Sequence, residues 1–298
     1  MESESIITIQ DNTNLEKTYQ WYSSEIESIT FGQNVEVSGD WILAYSNRIR
    51  ELNIPDGTIL SGTGIFRGCN QLQNLTIGNN VAISNQNIFS NCSNLKSITF
   101  GDSTNISGHN CLLHLSELER IQFSPNMTFS GSYLFSSCES IKEVIIPDNC
   151  TISGNFFFSN SLQLERIVIG NDVVIEGFQC FFGCSNIQSV TIGNNVTISG
   201  IKFLGDAGAC QNIELTVGSN YRGHPIRIQK PELKLDFLKY ADVKHTLCFK
   251  EEMCIISLEN FNDDSKVFIL KCGHVFLMEP LQKWLRIRKF CPTCRQKI

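Results

Sequence analysis

Residues 72–94 read LQNLTIGNNVAISNQNIFSNCSN, and most of the chain consists of further copies of this 23-residue unit. Copies begin at Ile26, Ile49, Leu72, Leu95, Leu118, Ile141, Leu164 and Ile187, and a ninth start, Ile213, follows after 26 residues. A period held over so many units is the signature of a stacked solenoid. With Leu72 as place 1, places 1, 4 and 6 are apolar (Leu72, Leu75, Ile77). A Gly78-Asn79-Asn80 turn follows, and then a second short alternating run, Val81 to Ile83. After Ser84 comes a small-residue turn, glycine in most copies (Gly62, Gly131, Gly154), then a large apolar residue, Phe89, and a small one, Cys92. Runs this short cannot be free strands, so each pairs with the same run in neighbouring coils, giving parallel ladders. The FSNCSN segment lacks alternation and predicts a tight helical or 3₁₀ turn on the opposite side.

The texture changes at both ends. Residues 1–25 hold one strand-like piece, Ile6 to Ile9, and then polar sequence with Trp21 and Tyr22, which predicts an N-terminal cap over the first hydrophobic coil. The solenoid spans 26–225, a cap or linker spans 226–250, and a small separate module spans 251–298. The net charge of the 298 residues is −6, yet residues 281–298 carry six Lys or Arg and no acid. The remainder therefore holds 18 basic against 30 acidic residues, or −12. No apolar run approaches the ~20 residues of a membrane span, and MESESIITIQ lacks the basic start and apolar core of an export signal. These features predict a cytoplasmic protein without a membrane partner.

Cysteine is abundant, with 13 in the chain. Cys69, Cys92, Cys138, Cys184 and Cys210 fall at the same late place of their units, which predicts an internal row of buried thiols and neither disulfides nor metal ligands. His109, Cys111 and His114 lie close together but lack a fourth donor at useful spacing, which argues against a metal there. On the first run, the residues alternating with the buried ones are mostly uncharged. Around Arg120, Ile145, Arg166 and Val168, exposed β-branched residues stand beside arginines, the best candidate on this face for contact with a partner protein.

In the C-terminal module, Cys272-Gly-His274 and Cys291-Pro-Thr-Cys294 supply two pairs, each able to grip one metal from a tight turn. Three thiolates and one imidazole complete a closed tetrahedral shell, the donor set of a structural zinc. Leu277, Leu281, Trp284 and Leu285 share one face of a helix, with Pro280 tolerated in its first turn.

The repeat resembles the BspA-like class of leucine-rich repeats over about 190 residues. That resemblance implies a right-handed solenoid with parallel β ladders, its first-run strands on the concave side, whose usual role is binding another macromolecule. Residues 253–295 resemble a RING finger, a small α+β zinc domain by which many ubiquitin ligases hold a ubiquitin-conjugating enzyme. The resemblance makes Cys254 the first ligand, Cys272 and His274 the third and fourth, and Cys291 and Cys294 the last two. It also makes Ile256, Trp284 and Pro292 contacts for the conjugating enzyme. Arg295 becomes the catalytic cation that steadies ubiquitin's C-terminal tail. The second, fifth and sixth ligand places hold Ser257, Leu277 and Pro280, so one zinc ion is expected and the second RING site is expected to be empty. Two functions follow from this pattern. In the first, the protein is a ubiquitin ligase whose solenoid binds an unidentified protein substrate while the RING-like domain recruits the conjugating enzyme and ubiquitin. In the second, it is a non-catalytic scaffold with a degenerate zinc-binding RING. Nucleic-acid binding is disfavoured, because the basic C-terminus lacks interleaved aromatics and the array lacks a basic face.

Overall fold

The structure, a computed structural model, describes residues 5–23, 25–205, 213–223, 238–240, 253–270, 272–288 and 290–296. It divides into two compact units, Met1–Pro231 and Glu232–Ile298. The sequence-based expectations for Cys210 and nearly all of the 226–250 cap lie outside the described residues.

The first unit is a parallel β-solenoid. Each coil contributes a four-residue strand from the first run, such as Asn74–Ile77, and a two-residue strand from the second, such as Ala82–Ile83. Alternation places Leu75, Ile77 and Ile83 inside and leaves Asn74 and Thr76 exposed. Second-run strands form one ladder of ten, all parallel, with each residue opposite the residue 23 places on through most of its length. Residues 5–23 build a further coil of the same two-strand form: Ile6–Ile9 pairs with Ser28–Phe31, and Asn14–Leu15 with Glu36–Val37.

First-run strands do not form one continuous ladder. They form sheets of two, four and four strands, with breaks between Ser28–Phe31 and Glu51–Ile54 and between Arg120–Gln122 and Glu143–Ile146. The cause lies at place 7. Where that residue is glycine, its N–H donates to the preceding coil, as from Gly78 to the Ile54 carbonyl (2.8 Å) and from Gly170 to Ile146 (2.8 Å). At both breaks place 7 is proline, Pro55 and Pro147, which has no N–H to give. Beside the Pro55 break lies a polar cleft of about 910 Å³ lined by Glu27, Arg48, Arg50, Glu51 and Gln73 among others.

The third side of the coil corrects the expected helical or 3₁₀ turn. Asn87, Phe89 and Asn91 have φ of 61°, 55° and 60°, and the residues between them do not, so the backbone alternates in hand. Successive amides then point to opposite neighbours. Phe89 donates back to Ile65 (3.0 Å), whereas Asn87 and Asn91 donate forward to His109 (3.0 Å) and Leu113 (2.8 Å). A left-handed phenylalanine costs about 1–2 kcal/mol. The cost is offset because this conformation satisfies the amides coil to coil and stacks the rings inside. Phe66 and Phe89 are 5.2 Å apart and 3° from parallel, and Phe135 and Phe158 are 4.9 Å apart and 8° from parallel.

Thiols complete this corner. Cys92 donates to the carbonyl of Phe66 and Cys184 to that of Phe158, at 3.2 and 3.1 Å. Cys69, Cys92, Cys138 and Cys184 are all buried and none forms a disulfide, as the repeat position implied. Burial pushes the thiols of Cys111, Cys138 and Cys180 each up to about 12. These thiols keep their protons in the fold through a range in which the unfolded chain loses them, from an ordinary value of 9.0 upward. Their stabilisation is therefore intact below pH 9 and falls as pH rises towards 12, by roughly 1.4 kcal/mol per pH unit for each thiol. Urea unfolding of the full chain between pH 9 and 11 should show this slope, shallower by about one thiol's share in Cys138→Ala. Identical slopes in the two proteins would refute the assignment.

Among its described residues the second unit has two small antiparallel sheets and a ten-residue helix. Lys266–Ile269 pairs with Val275–Leu277 and with Leu238–Lys239, and Met253–Cys254 pairs with Glu259–Asn260. Leu238–Lys239 came within the linker when read from sequence, so the sheet of this unit reaches upstream of residue 251. Helix α1, Met278–Ile287, follows directly on the last strand. Leu281 and Leu285 are buried on its inner face, Trp284 packs beside them, and Pro280 sits in the first turn, where its missing N–H breaks no helical bond. Leu277 lies at the helix N-cap at the end of the strand, although its side chain joins the same cluster.

Candidate metal centre

Two turns bring the four candidate ligands together. Cys272-Gly273-His274 is the bend between two antiparallel strands: Gly273 takes φ 87°, a region open to glycine, and donates to the Leu270 carbonyl (2.8 Å), while Leu270 donates to that of His274 (3.0 Å). The second turn follows α1. There Arg295 donates to the Cys291 carbonyl (3.0 Å), Cys291 donates to that of Gln296 (2.8 Å), and the Cys294 N–H reaches the Cys291 sulfur (3.5 Å).

The donor atoms of Cys272, His274, Cys291 and Cys294 all lie within 4.8 Å of one another, and they are the one such group among the described residues. His274 Nδ1 is 3.4 Å from Cys272 Sγ and 3.7 Å from Cys291 Sγ. Zinc bonds of about 2.3 Å to sulfur and 2.0–2.1 Å to nitrogen set tetrahedron edges of roughly 3.6–3.8 Å, so this donor set fits the ion in number, chemistry and spacing. His109, Cys111 and His114 make no comparable group. The Cys111 thiol is buried on the Asn85 carbonyl (3.0 Å), and His109 Nδ1 accepts the Ser132 N–H (3.1 Å).

The other half of the module is built differently. Cys254 is buried, and its sulfur accepts the N–H of Leu277 (3.4 Å). Ser257 Oγ is buried without a hydrogen-bond partner, a state that costs about 1–3 kcal/mol. Around them Ile256, Phe261, Leu277 and Trp284 pack on a core of Cys254, Phe276, Leu281 and Leu285.

Ile256 is thus half-buried in the module's own core, while its neighbours Ile255 and Leu258 are exposed. Sequence spacing alone did not separate these three. Trp284 is half-buried, and its indole N–H is bound to the Phe290 carbonyl (2.9 Å). Pro292 is half-buried in the second ligand turn, and Arg295 is exposed with φ 61°.

On the solenoid, Ile145 and Val168 are direct partners in one ladder, as are Glu143 and Arg166. Ile145 is 49 % exposed and Val168 half-buried, and Arg166 forms an exposed ion pair with Glu143 (3.1 Å), an interaction of small energetic weight. Arg120 stands on the far side of the Pro147 break, in a different sheet. One surface feature was missed in the sequence: place 15 or 16 is aromatic or aliphatic in four consecutive coils, exposed at Tyr133, Phe178 and Ile201 and half-buried at Phe156. A place-by-place comparison of the units carries that signal.

Residues 3–116 and 107–220 match the BspA type leucine rich repeat region, and the chain belongs to that family. Residues 252–295 match the RING finger domain, so the protein joins a BspA-type array to a C-terminal, degenerate RING-type zinc finger. Over 74 residues it is 35 % identical to the E3 ubiquitin-protein ligase Godzilla of Drosophila melanogaster, spanning 24 % of this chain and 13 % of that one. It is 44 % identical over 50 residues to RING-H2 finger protein ATL72 of Arabidopsis thaliana, covering 16 % of this chain and 28 % of the relative. It is 38 % identical over 47 residues to RING finger protein 24 of Homo sapiens, covering 16 % and 32 %. The chain therefore spans no more than about a third of these relatives, in the RING region alone. A crystal structure of a leucine-rich repeat protein from Bacteroides ovatus aligns over 72 % of this chain and 63 % of that one, at 20 % identity and a TM-score of 0.45. Among the described residues, no helix is long and apolar enough to cross a membrane.

Proposed function

We propose that the protein is a RING-type ubiquitin ligase: the RING-like unit holds a conjugating enzyme charged with ubiquitin, and the solenoid holds the protein to be modified. The observation that carries this reading is the assembled Cys272, His274, Cys291 and Cys294 shell in a region similar to E3 ligases. One zinc there fixes the turn that presents Pro292 and Arg295, together with the C-terminal end of the Trp284 helix. The second RING site binds no metal, its place being taken by the Cys254 to Leu277 hydrogen bond and the packed apolar cluster.

Such a ligase forms no covalent intermediate. It restrains the thioester so that a lysine amine of the substrate attacks the carbonyl carbon, and the conjugating enzyme's cysteine leaves as thiolate. Catalysis is orientation, with Arg295 supplying charge-assisted hydrogen bonds to ubiquitin's tail. Ile256, Trp284 and Pro292 form the conjugating-enzyme contact, and Arg120, Ile145, Arg166 and Val168 a substrate face.

Single-turnover discharge of ubiquitin from a panel of charged conjugating enzymes onto free lysine tests the reading. Wild type should accelerate discharge on at least one enzyme, with a loss of about tenfold or more in Trp284→Ala and Arg295→Ala. A second reading, a non-catalytic scaffold, is favoured by the inward packing of Ile256 and the orphaned Ser257 hydroxyl. Folded, zinc-loaded protein that accelerates discharge from no enzyme in the panel would decide for it.

A further inference from the structure

The turn side of the solenoid carries a second surface, built from other places of the unit than the Arg120 to Val168 face. Tyr133 and Phe156 stack at 4.5 Å with planes 5° apart, and Phe156 meets Phe178 edge-on at 5.9 Å. Tyr133 is 41 %, Phe178 38 % and Ile201 61 % exposed. Tyr133 and Phe156 stand at place 16, where the three coils just before them carry Gly64, Asn87 and Asn110, so this patch is separate from the stacked Tyr19 and Trp41 of the N-terminal coils. Phe178 and Ile201 stand one place earlier, where the preceding coils carry Gln86, His109, Ser132 and Asn155. Apolar groups are not needed there for folding: place 16 takes left-handed φ equally with Asn87 (61°) and Tyr133 (60°), and place 15 is polar in those other coils.

The spacing selects the shape of what docks. Coils hydrogen-bonded side by side repeat at about 4.8 Å, so four anchors span roughly 14 Å. Side chains on one face of an α-helix recur every 5.4 Å or so, a mismatch of about 2 Å over three steps. Alternate residues of an extended peptide recur at roughly 6.7 Å, a mismatch of nearly 6 Å. A helix lying along the stripe meets all four anchors, and a strand does not. The charge of the occupant follows from that of the array. Residues 1–225 carry 21 acidic and 10 basic side chains, a net of −11. An acidic field of this size steers basic segments towards it.

We infer that Tyr133, Phe156, Phe178 and Ile201 form a docking stripe for an amphipathic helix with a basic polar face, supplied by the protein the solenoid selects. This rests on the ligase reading and deepens it, since it names the class of segment the array takes and adds a turn-side contact to the sheet face.

The test uses the full chain and a fluorescent 18-residue peptide, helical by design, with apolar residues at i, i+3, i+4 and i+7 and lysines on the remaining face. Two further probes are a scrambled peptide of equal composition and the same helix with glutamates replacing the lysines. The first peptide should bind by anisotropy at least tenfold tighter than either control. Ile201→Ser combined with Phe178→Ser should weaken it by a further tenfold or more, with unchanged circular dichroism and melting temperature, and Ile59→Ser, at an exposed position of the second-run ladder, should leave it unchanged. Equal binding of the scrambled peptide, loss of binding in Ile59→Ser, or no effect of the stripe substitutions would overturn the proposal. So would a wild-type dimer in sedimentation that the stripe substitutions dissociate, since the occupant would then be a second copy. Discharge onto free lysine needs no substrate contact, so it fails only if the ligase reading itself is wrong.

Discussion

Removing zinc from the full chain is expected to unfold the C-terminal unit and leave the solenoid standing. The ion would join two turns, Cys272-Gly273-His274 before α1 and Cys291 to Cys294 after it. A structural zinc contributes about 10–16 kcal/mol in small metal-folded peptides. What remains without it is an apolar cluster centred on Phe276, Leu281 and Leu285, at roughly 1.5–3 kcal/mol for each large side chain buried. That burial must also offset the chain entropy of ordering the unit, and the buried Ser257 hydroxyl subtracts from it. Hydrogen exchange read by mass spectrometry should show residues 253–296 losing protection on chelation and in Cys291→Ser, while 26–200 stay protected. Retained protection in the module without metal would mean that packing alone holds it.

Gly154→Ala is expected to damage the solenoid more than any single exposed substitution. A Cβ at Gly154 would sit 1.9 Å from the carbonyl oxygen of Gly131 and 2.6 Å from its carbon, backbone atoms that cannot swing aside. The same contact recurs at Gly131 and Gly177, each against the preceding glycine's carbonyl oxygen at 2.0 Å, so glycine at this place sets the coil spacing along that corner. Relief requires the coils to part where Ser153 and Gly154 both donate to the Phe129 carbonyl, at 2.9 and 3.1 Å. We expect a loss of roughly 3 kcal/mol or more, above the usual range for overpacking because backbone must move, against less than about 0.5 kcal/mol for the neighbouring exposed Ser153→Ala. Denaturant unfolding measures both. Because each coil contacts only its neighbours, exchange should show the weakening concentrated around coils five to seven. Equal stability of the two variants would show that the coils can separate freely.

Much of this was legible in the chain itself. The 23-residue period fixed the coil, the alternation in LTI and VAI fixed which residues face inward, and the repeated late cysteine marked the thiol row. The candidate metal group was equally open to reading, because Cys-x-His and Cys-x-x-Cys are local spacings and each pair closes within one turn. The Ser257, Leu277 and Pro280 departures could likewise be read directly, as residue types that make poor or impossible donors.

The remaining features depend on what a residue meets in the next coil, which no local pattern states. The FSNCSN segment suggested a tight turn, yet the alternation of left- and right-handed residues arises because neighbouring coils on both sides need hydrogen bonds from it. Pro55 and Pro147 were visible, but their effect on the first-run sheet follows only once place 7 is known to donate across coils. Ile256 was expected as a partner contact from its place in a motif; packing against the Cys254, Phe276 and Leu281 cluster leaves it half-buried, with Ile255 and Leu258 outside. Sequence determined the period, the core and the ligands, because these rest on side-chain chemistry and short spacing. Tertiary structure decided the breaks, the hand of each turn residue and the exposed stripe, because those are set by backbone partners 23 residues away.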